Sequence, residues 1–242
     1  MAGESRPEES GRLARRPQAI QQMFAAVARR YDLLNRLLSL RRDVAWRRRL
    51  IKALAAAPPG AVLDLATGTG DVALAIADRT VFGADFCLDM LAIGARKAQR
   101  AGRSPRWVAA DALTLPFRAR AFAAVTVAFG VRNFADLDTG VAEVRRVLIP
   151  GGLLAILEFH RPPGRGVALF SALWNRAVVT PVGSLLSDDP GAYAYLPASV
   201  DSFPDRQGLA TRLVAGGFED ATVHPLSGGI VVVTVARRRE AT

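Results

Sequence analysis

Residues 64 to 71 read Asp-Leu-Ala-Thr-Gly-Thr-Gly-Asp, and no other stretch of the chain concentrates so much chemistry. Gly68 and Gly70 flank Thr69, so the backbone can approach a ligand in dihedrals that a Cβ would resist. The preceding Val62-Leu63-Asp64-Leu65 reads as a buried parallel strand. Asp71 to Ala77 is rich in helix formers, and its first N–H groups should point into the same crevice. Two more acids follow short apolar runs: Asp85 closes Val81-Phe82-Gly83-Ala84, and Asp111-Ala112 follows Arg106 to Ala110. In a doubly wound sheet, the crevice at the carboxyl ends of the strands takes a nucleotide-like ligand. There Asp85 would grip the two hydroxyls of a ribose, Asp111 would meet an adenine amino group, and Leu113 to Phe117 would cover the flat faces of the base. One acid at a strand end is usually an ordinary solvated residue; three in succession behind a glycine turn point to a ligand.

Gly68-Thr69-Gly70-Asp71-Val72-Ala73 also satisfies the dinucleotide fingerprint with alanine in the third place. Asp71 argues against that reading, because it sets a carboxylate at the helix N-terminus, where a pyrophosphate needs positive potential. A cationic ligand suits the spot better. S-adenosylmethionine carries an ammonium and a sulfonium and no phosphate, and Asp64 is expected to add a second acid facing the same end. A nicotinamide dehydrogenase would further want a catalytic base, and none of Tyr31, Tyr193 or Tyr195 has a lysine four residues on.

The elements that must position these residues alternate. Ala19 to Leu54 has helical apolar spacing through Met23, Val27, Tyr31, Leu34, Leu37 and Leu38, breaks near Ser39 to Asp43, and resumes at Trp46, Leu50 and Leu54. Pro58-Pro59-Gly60 separates these helices from the first strand. Helices are expected over Phe86 to Arg100 and Ala135 to Leu148, and strands over Phe122 to Phe129 and Leu153 to Phe159. Strand and helix therefore alternate to residue 160, which implies a parallel sheet. Gly130-Val131-Arg132-Asn133 follows the fourth strand, and Glu158 and His160 close the fifth. Prolines punctuate 161–204, where Phe170, Trp174, Tyr193 and Tyr195 make an apolar, aromatic insertion that reads as a lid. Asp205 to Phe218 restores a helix, and Ala221 to Val223 with Gly229 to Ala236 form a terminal antiparallel pair.

The 242 residues are half apolar, enough for one sizeable α/β domain. The formal charge is +10, yet only Lys52 and Lys97 are lysines. Scattered arginine reads as a solvated surface more readily than as a nucleic-acid footprint, so no nucleic acid is expected, and an anionic membrane surface is the better use of the charge. Cys87 is the only cysteine, which excludes a disulfide framework or a thiolate metal site and fits a reducing, cytoplasmic setting. No metal is expected. Residues 1–18 mix acids with arginines and lack the apolar core of a secretory signal, so they read as a disordered tail. The apolar run Val167 to Trp174 is far short of the ~20 residues of a spanning helix.

From about Met23 to Arg237 the chain resembles the class I S-adenosylmethionine-dependent methyltransferases and, within them, the ubiquinone/menaquinone biosynthesis C-methyltransferases. The resemblance rests on Arg30-Tyr31-Asp32-Leu33-Leu34-Asn35, Asp64 to Asp71, Phe129-Gly130-Val131-Arg132-Asn133 and Arg146 to Gly152. Leu157-Glu158-Phe159, Tyr193-Ala194-Tyr195-Leu196 and Ser227-Gly228-Gly229 support it. The glycine turn identifies only the superfamily; Phe-Gly-Val-Arg-Asn points to the quinone enzymes. The resemblance implies a Rossmann-like α/β fold: a mostly parallel seven-stranded sheet with helices on both faces, in one domain over 19–238. Helices at 19–57 would precede the sheet, and a lid at 161–204 would precede the last helix. It implies cofactor contacts at Thr69, Asp85, Asp111 and Ala112, beside the Asp64, Gly68 and Gly70 suggested by the turn itself. Tyr31, Arg132 and Asn133 fall at the family's substrate-side polar positions. Ala128 departs from a cofactor-contacting serine, His160 stands where serine is common, and the link from Asp71 to Asp85 is short.

The implied reaction is methyl transfer from S-adenosylmethionine to a ring carbon of a reduced prenyl quinone, demethylmenaquinol foremost. The ubiquinol precursor, another small molecule or RNA are the alternatives, and a non-catalytic binding module is the weakest rival. An aromatic carbon becomes nucleophilic once its neighbouring hydroxyl gives up a proton. Arg132 is expected to stabilise that oxyanion. Tyr31 and Asn133 would hold or relay the proton, and His160 is a candidate base. The substrate is lipophilic, so peripheral contact with the inner face of the cell membrane is expected, and the apolar lid is a candidate homodimer surface.

Overall fold

The computed structural model describes residues 21–162 apart from 23, 27 and 29, then 164, 166, 167 and 198–240. The tail at 1–18, Met23, Val27, most of the lid at 161–204 and its aromatic residues Phe170, Trp174, Tyr193 and Tyr195 lie outside the described residues.

Seven strands form one sheet: β1 (Val62–Leu65), β2 (Val81–Asp85), β3 (Arg106–Ala109), β4 (Phe122–Ala128), β5 (Leu148–Phe159), β6 (Phe218–Leu226) and β7 (Val231–Arg238), in the order β3-β2-β1-β4-β5-β7-β6. The first five strands run parallel, and β7 is antiparallel to both β5 and β6. β1 and β4 are buried along nearly their whole length, as continuous apolar runs demand when helices cover both faces. The strand order reverses between β1 and β4. Their carboxyl ends therefore flank the crevice where such folds bind ligands.

Among the described residues, helices form where local signals or packing place them. Before the sheet come α1 (Tyr31–Leu38) and α2 (Arg42–Ala53); α3 (Asp71–Ala75) follows the glycine turn, and α4 (Leu88–Arg100), α5 (Leu137–Val147) and α6 (Arg206–Ala215) complete the set described by name, with a further helical stretch at 198–202. Asp136 caps α5 by accepting from the Thr139 N–H at 2.6 Å, and Asp205 caps α6 by accepting from the Gly208 N–H at 2.7 Å. On one face of the sheet Val141, Val144, Leu209 and Leu213 pack against Val125, Val127, Leu154 and Ile156. On the other, Leu50, Leu54, Val72 and Ile76 cover Val62, Leu153, Ala155 and Leu157.

Four expectations shift. The helix after the glycine turn spans five residues and not the seven of Asp71 to Ala77. β5 starts at Leu148 and runs through Pro150-Gly151-Gly152, whose breaker residues are absorbed by an irregularity in the pairing with β4. β6 extends well beyond Ala221 to Val223, and it tolerates Pro225 because an edge strand has one unpaired side. Leu37, expected in the apolar stripe of the first helix, is exposed. Among the described residues no helix is long and apolar enough to cross a membrane.

Candidate active site

A cleft opens at the carboxyl ends of β1, β2 and β4. Of the residues expected to bind a cofactor, Gly68, Asp85, Asp111 and Ala112 line it; of those expected on the substrate side, Tyr31 and Asn133 do. Phe24, Phe86, Met90, Phe129 and Phe134 supply much of its apolar wall.

Asp85 is the last residue of β2 and is buried. Its Oδ2 accepts from the Gly68 N–H at 2.8 Å and its Oδ1 from the Cys87 N–H at 2.9 Å. Those bonds fix the carboxylate against the glycine turn while leaving lone pairs for hydroxyl donors in the cleft. Burial raises its carboxyl above the usual range, and the backbone N–H groups pull the other way. An adenosine-bearing ligand fits here: a fixed, solvent-shielded acceptor for a diol stands beside apolar walls suited to a base. Asp111, on the rim, accepts from the Leu113 N–H at 2.9 Å and is exposed.

Asp64 does not line the cleft. It lies one residue short of the end of β1, so its side chain points into the body, where Oδ2 accepts from Thr67 Oγ1 at 2.5 Å and the Ala73 N–H at 3.1 Å, and Oδ1 from Thr126 Oγ1 at 2.7 Å. It ties the glycine turn and α3 to β4. Burial pushes its pKa up to about 6, against the pull of those hydrogen bonds.

Gly70 has φ 81°, but a Cβ there would meet the Trp107 ring at 2.4 Å, not a ligand. Gly83 and Gly94 face the same indole, at 2.8 and 2.9 Å. Three glycines thus make room for one tryptophan behind the turn. Thr69 is buried, its hydroxyl donating to Asp32 Oδ1 at 2.6 Å and accepting from Lys97 Nζ at 3.2 Å. Lys97 also holds Asp32 Oδ2 at 2.7 Å and bonds Asp71 Oδ1. The Asp71 carboxyl sits below its usual range: Lys97 and then Arg47 outweigh its burial. The negative charge expected to attract a cationic ligand is therefore already matched from within, and the network fastens α1 to the turn.

Leu113 to Phe117 does not flank the cleft either. Leu115 is buried in the core, and Phe117 packs edge-on against Phe122 at 4.9 Å. Glu143 and Arg146 on α5 hold this loop: Glu143 accepts from the Leu115 N–H at 2.7 Å, and Arg146 donates to the Phe117 carbonyl at 2.6 Å and the Leu115 carbonyl at 2.9 Å.

Arg132 is the largest correction on the substrate side. It does not line the cleft; its Nη1 donates to Glu158 Oε1 at 2.6 Å and the Phe129 carbonyl at 2.7 Å, and its Nε donates to Ser199 Oγ at 3.3 Å. Glu158 is fully buried and also accepts from the Arg132 N–H at 3.3 Å and the Phe159 N–H at 2.9 Å. The Arg132 guanidinium clamps the turn that presents Asn133 and Phe134 to the cleft. The two strand ends that meet there are strained: Ala66 after β1 and Phe129 after β4, both lining the cleft, have φ 52° and 59°. Such backbones cost about 1–3 kcal/mol each and persist where surroundings over-determine them. A Cβ on Gly130 would sit 2.5 Å from the Ala66 Cβ, so the two strand ends touch only because Gly130 lacks one.

His160 is buried against Phe203 with neither ring nitrogen hydrogen-bonded. Burial pushes its pKa down to about 4. It does not line the cleft, so the structure does not bring the candidate base to the other site residues. Lys97 and Glu158 were not foreseen as partners. Lys97 had a signal, being one of two lysines in an arginine-rich chain.

Similarity to known proteins follows this geometry. A methyltransferase of Thermotoga maritima, described as S-adenosylmethionine-dependent, superposes with TM-score 0.66 at 16% identity, over 90% of this chain and 99% of its own. At that identity the likeness establishes the fold. A demethylmenaquinone methyltransferase of Thermus thermophilus is 46% identical over 89% of this chain and 100% of its own, and one of Deinococcus radiodurans is 44% identical over 99% and 100%. The profile of one family matches residues 13–238, spanning the glycine turn, the Arg132 clamp and the last strand alike. The chain is a methyltransferase and belongs to the ubiE/COQ5 methyltransferase family.

Proposed function

We propose that the protein transfers a methyl group from S-adenosylmethionine to a ring carbon of demethylmenaquinol, a step of menaquinone biosynthesis. The observation that carries this reading is the make-up of the cleft: the carboxylates Asp85 and Asp111, at the ends of β2 and β3, share one space with an apolar, aromatic lining that also carries Tyr31 and Asn133. The names of the Thermus and Deinococcus relatives supply the quinone.

S-adenosylmethionine, when bound, supplies an electrophilic methyl on a sulfonium. Asp85 would accept from the ribose hydroxyls of that cofactor and Asp111 would position its base. The quinol hydroxyl beside the reacting carbon would give up its proton to make that carbon nucleophilic; on methylation the ring C–H proton would be lost and the phenolate oxygen would take a proton back, one proton being released for each methyl gained. Tyr31 and Asn133 hold the quinol oxygen and pass its proton toward solvent. Phe129 and Phe134 exclude water, and the walls keep carbon and methyl in line. Arg132 is a positioning residue that fixes the Asn133 turn. The substrate is carried by the membrane, so the protein works at the cytoplasmic surface of the bilayer.

The test is label transfer from methyl-labelled S-adenosylmethionine to chemically reduced demethylmenaquinol, with the ubiquinol precursor and bulk RNA as competing acceptors. The reading expects label on a ring carbon of the naphthoquinol. Label on oxygen, on the benzoquinol alone or on RNA overturns it.

A further inference from the structure

The helix that carries Tyr31 has a second face. Leu33 and Leu37 on α1 and Leu40 just beyond it are 62%, 48% and 62% exposed. Their spacing of four and three residues sets Leu33 and Leu37 on one side of the helix. The opposite side is turned inward: Leu34 is buried, Tyr31 lines the cleft, and Asp32 bonds Thr69 and Lys97. Leu40 is thrust out by a turn in which it and Arg41 both take positive φ, 52° and 61°, conformations that L residues rarely adopt. Two such residues in succession hold an apolar side chain in water.

Among the described residues, basic side chains border this stripe. Arg30, Arg36, Arg41 and Arg42 are exposed beside it. Between Arg30 and Lys52 eight basic residues stand against two acids. Both acids are engaged internally, Asp32 by Thr69 and Lys97, and Asp43 by Arg47 at 2.5 Å and Ser39 at 2.9 Å. An apolar stripe bordered by arginines on an amphipathic helix matches the surface of an anionic bilayer, whose headgroups meet the cations while the acyl boundary takes the leucines.

We propose that the outer face of α1, Leu33, Leu37 and Leu40 with Arg36, Arg41 and Arg42, docks the protein on an anionic lipid bilayer. Because Tyr31 on the same helix walls the cleft, docking brings the cleft to the lipid surface, where a prenyl quinol can enter with its tail still in the membrane. The entry route rests on the proposed substrate; the docking surface does not.

Flotation of the full-length protein with vesicles of phosphatidylglycerol and phosphatidylcholine, against phosphatidylcholine alone, tests it without any quinol. The wild type should float with anionic vesicles only and be released as salt rises. L33S/L37S/L40S should lower the bound fraction at least about tenfold with an unchanged melting temperature, and should methylate a short-tailed soluble quinol as the wild type does while losing activity on the long-tailed quinol in vesicles. R36Q/R41Q/R42Q, a second variant outside the cleft, should also release the protein. Vesicle binding by the leucine variant equal to wild type overturns the proposal. So does a dimeric wild type in sedimentation whose leucine variant is monomeric, since a second copy would then own the stripe. Stripe-dependent vesicle binding by a chain that methylates no quinol would retain the docking surface and reject the substrate.

Discussion

The two sides of the cleft treat their charged residues in opposite ways. At the ends of β2 and β3, Asp85 and Asp111 face the ligand space, Asp85 braced by backbone N–H groups. At the ends of β4 and β5, Arg132, Glu158 and His160 are withdrawn behind the wall, and the arginine and glutamate neutralise each other. A polar residue at a strand end is therefore no guide to its role until its direction is known. On the first side charge is offered to a ligand. On the second it braces the backbone that offers Asn133.

The largest effect should come from breaking that brace. Glu158→Gln leaves the Arg132 guanidinium buried without its counter-charge, which should cost about 3–5 kcal/mol of stability. Denaturant unfolding would read this, and a loss below about 1 kcal/mol would mean that Arg132 relaxes toward solvent and is not a clamp.

A comparison of buried Asp64 and His160 sharpens the contrast. Asp64, with its pKa raised from 3.8 to about 6, keeps a proton in the folded chain after the unfolded chain has lost it, so its contribution to stability falls as pH rises through that window. His160, lowered from 6.5 to about 4, stays neutral in the fold while the unfolded chain is protonated, so its contribution falls as pH drops through the window. Each is worth on the order of 2–3 kcal/mol and they oppose. Asp64→Asn should make the protein lose stability on acidification from pH 7 to pH 4.5, and His160→Leu should make it gain. Melting curves across that range would show equal slopes in both variants if the account were wrong.

Lys97→Met should have a smaller effect. It removes the cation shared by Asp32, Asp71 and Thr69, whose side chains are only part-buried, at about 1 kcal/mol and less in high salt. Looser attachment of α1 should also weaken S-adenosylmethionine binding a few-fold. Thermal melts at low and high salt would separate this from a packing defect, which salt would not change.

Much of this was legible in the chain. The apolar runs at Val62, Val81 and Phe122 became buried parallel strands because nothing else satisfies such runs beneath two layers of helix. Asp85 could be placed because it ends its run. Asp64 could not, since a single step along a strand reverses the side chain and the strand's last residue was unknown. Gly70 carried the signal of a ligand turn, yet its missing Cβ serves Trp107, a contact between distant segments that local spacing does not encode. The pairing of Arg132 with Glu158 likewise depends on β4 and β5 being neighbours in register, with Ala128 opposite Leu157. Leu113 to Phe117 misled because its apolar residues serve the core.

The division between the two sides is tested most directly by calorimetric titration of S-adenosylmethionine into Asp85→Asn and Arg132→Lys. The account predicts that Asp85→Asn weakens binding by about 1.5–3 kcal/mol, roughly tenfold or more, because the loss falls on charged hydrogen bonds to the ribose. Arg132→Lys should bind the cofactor within a factor of about three of wild type, since its lost fork braces only the substrate side. Unchanged affinity in Asp85→Asn, or an equal loss in both variants, would contradict it.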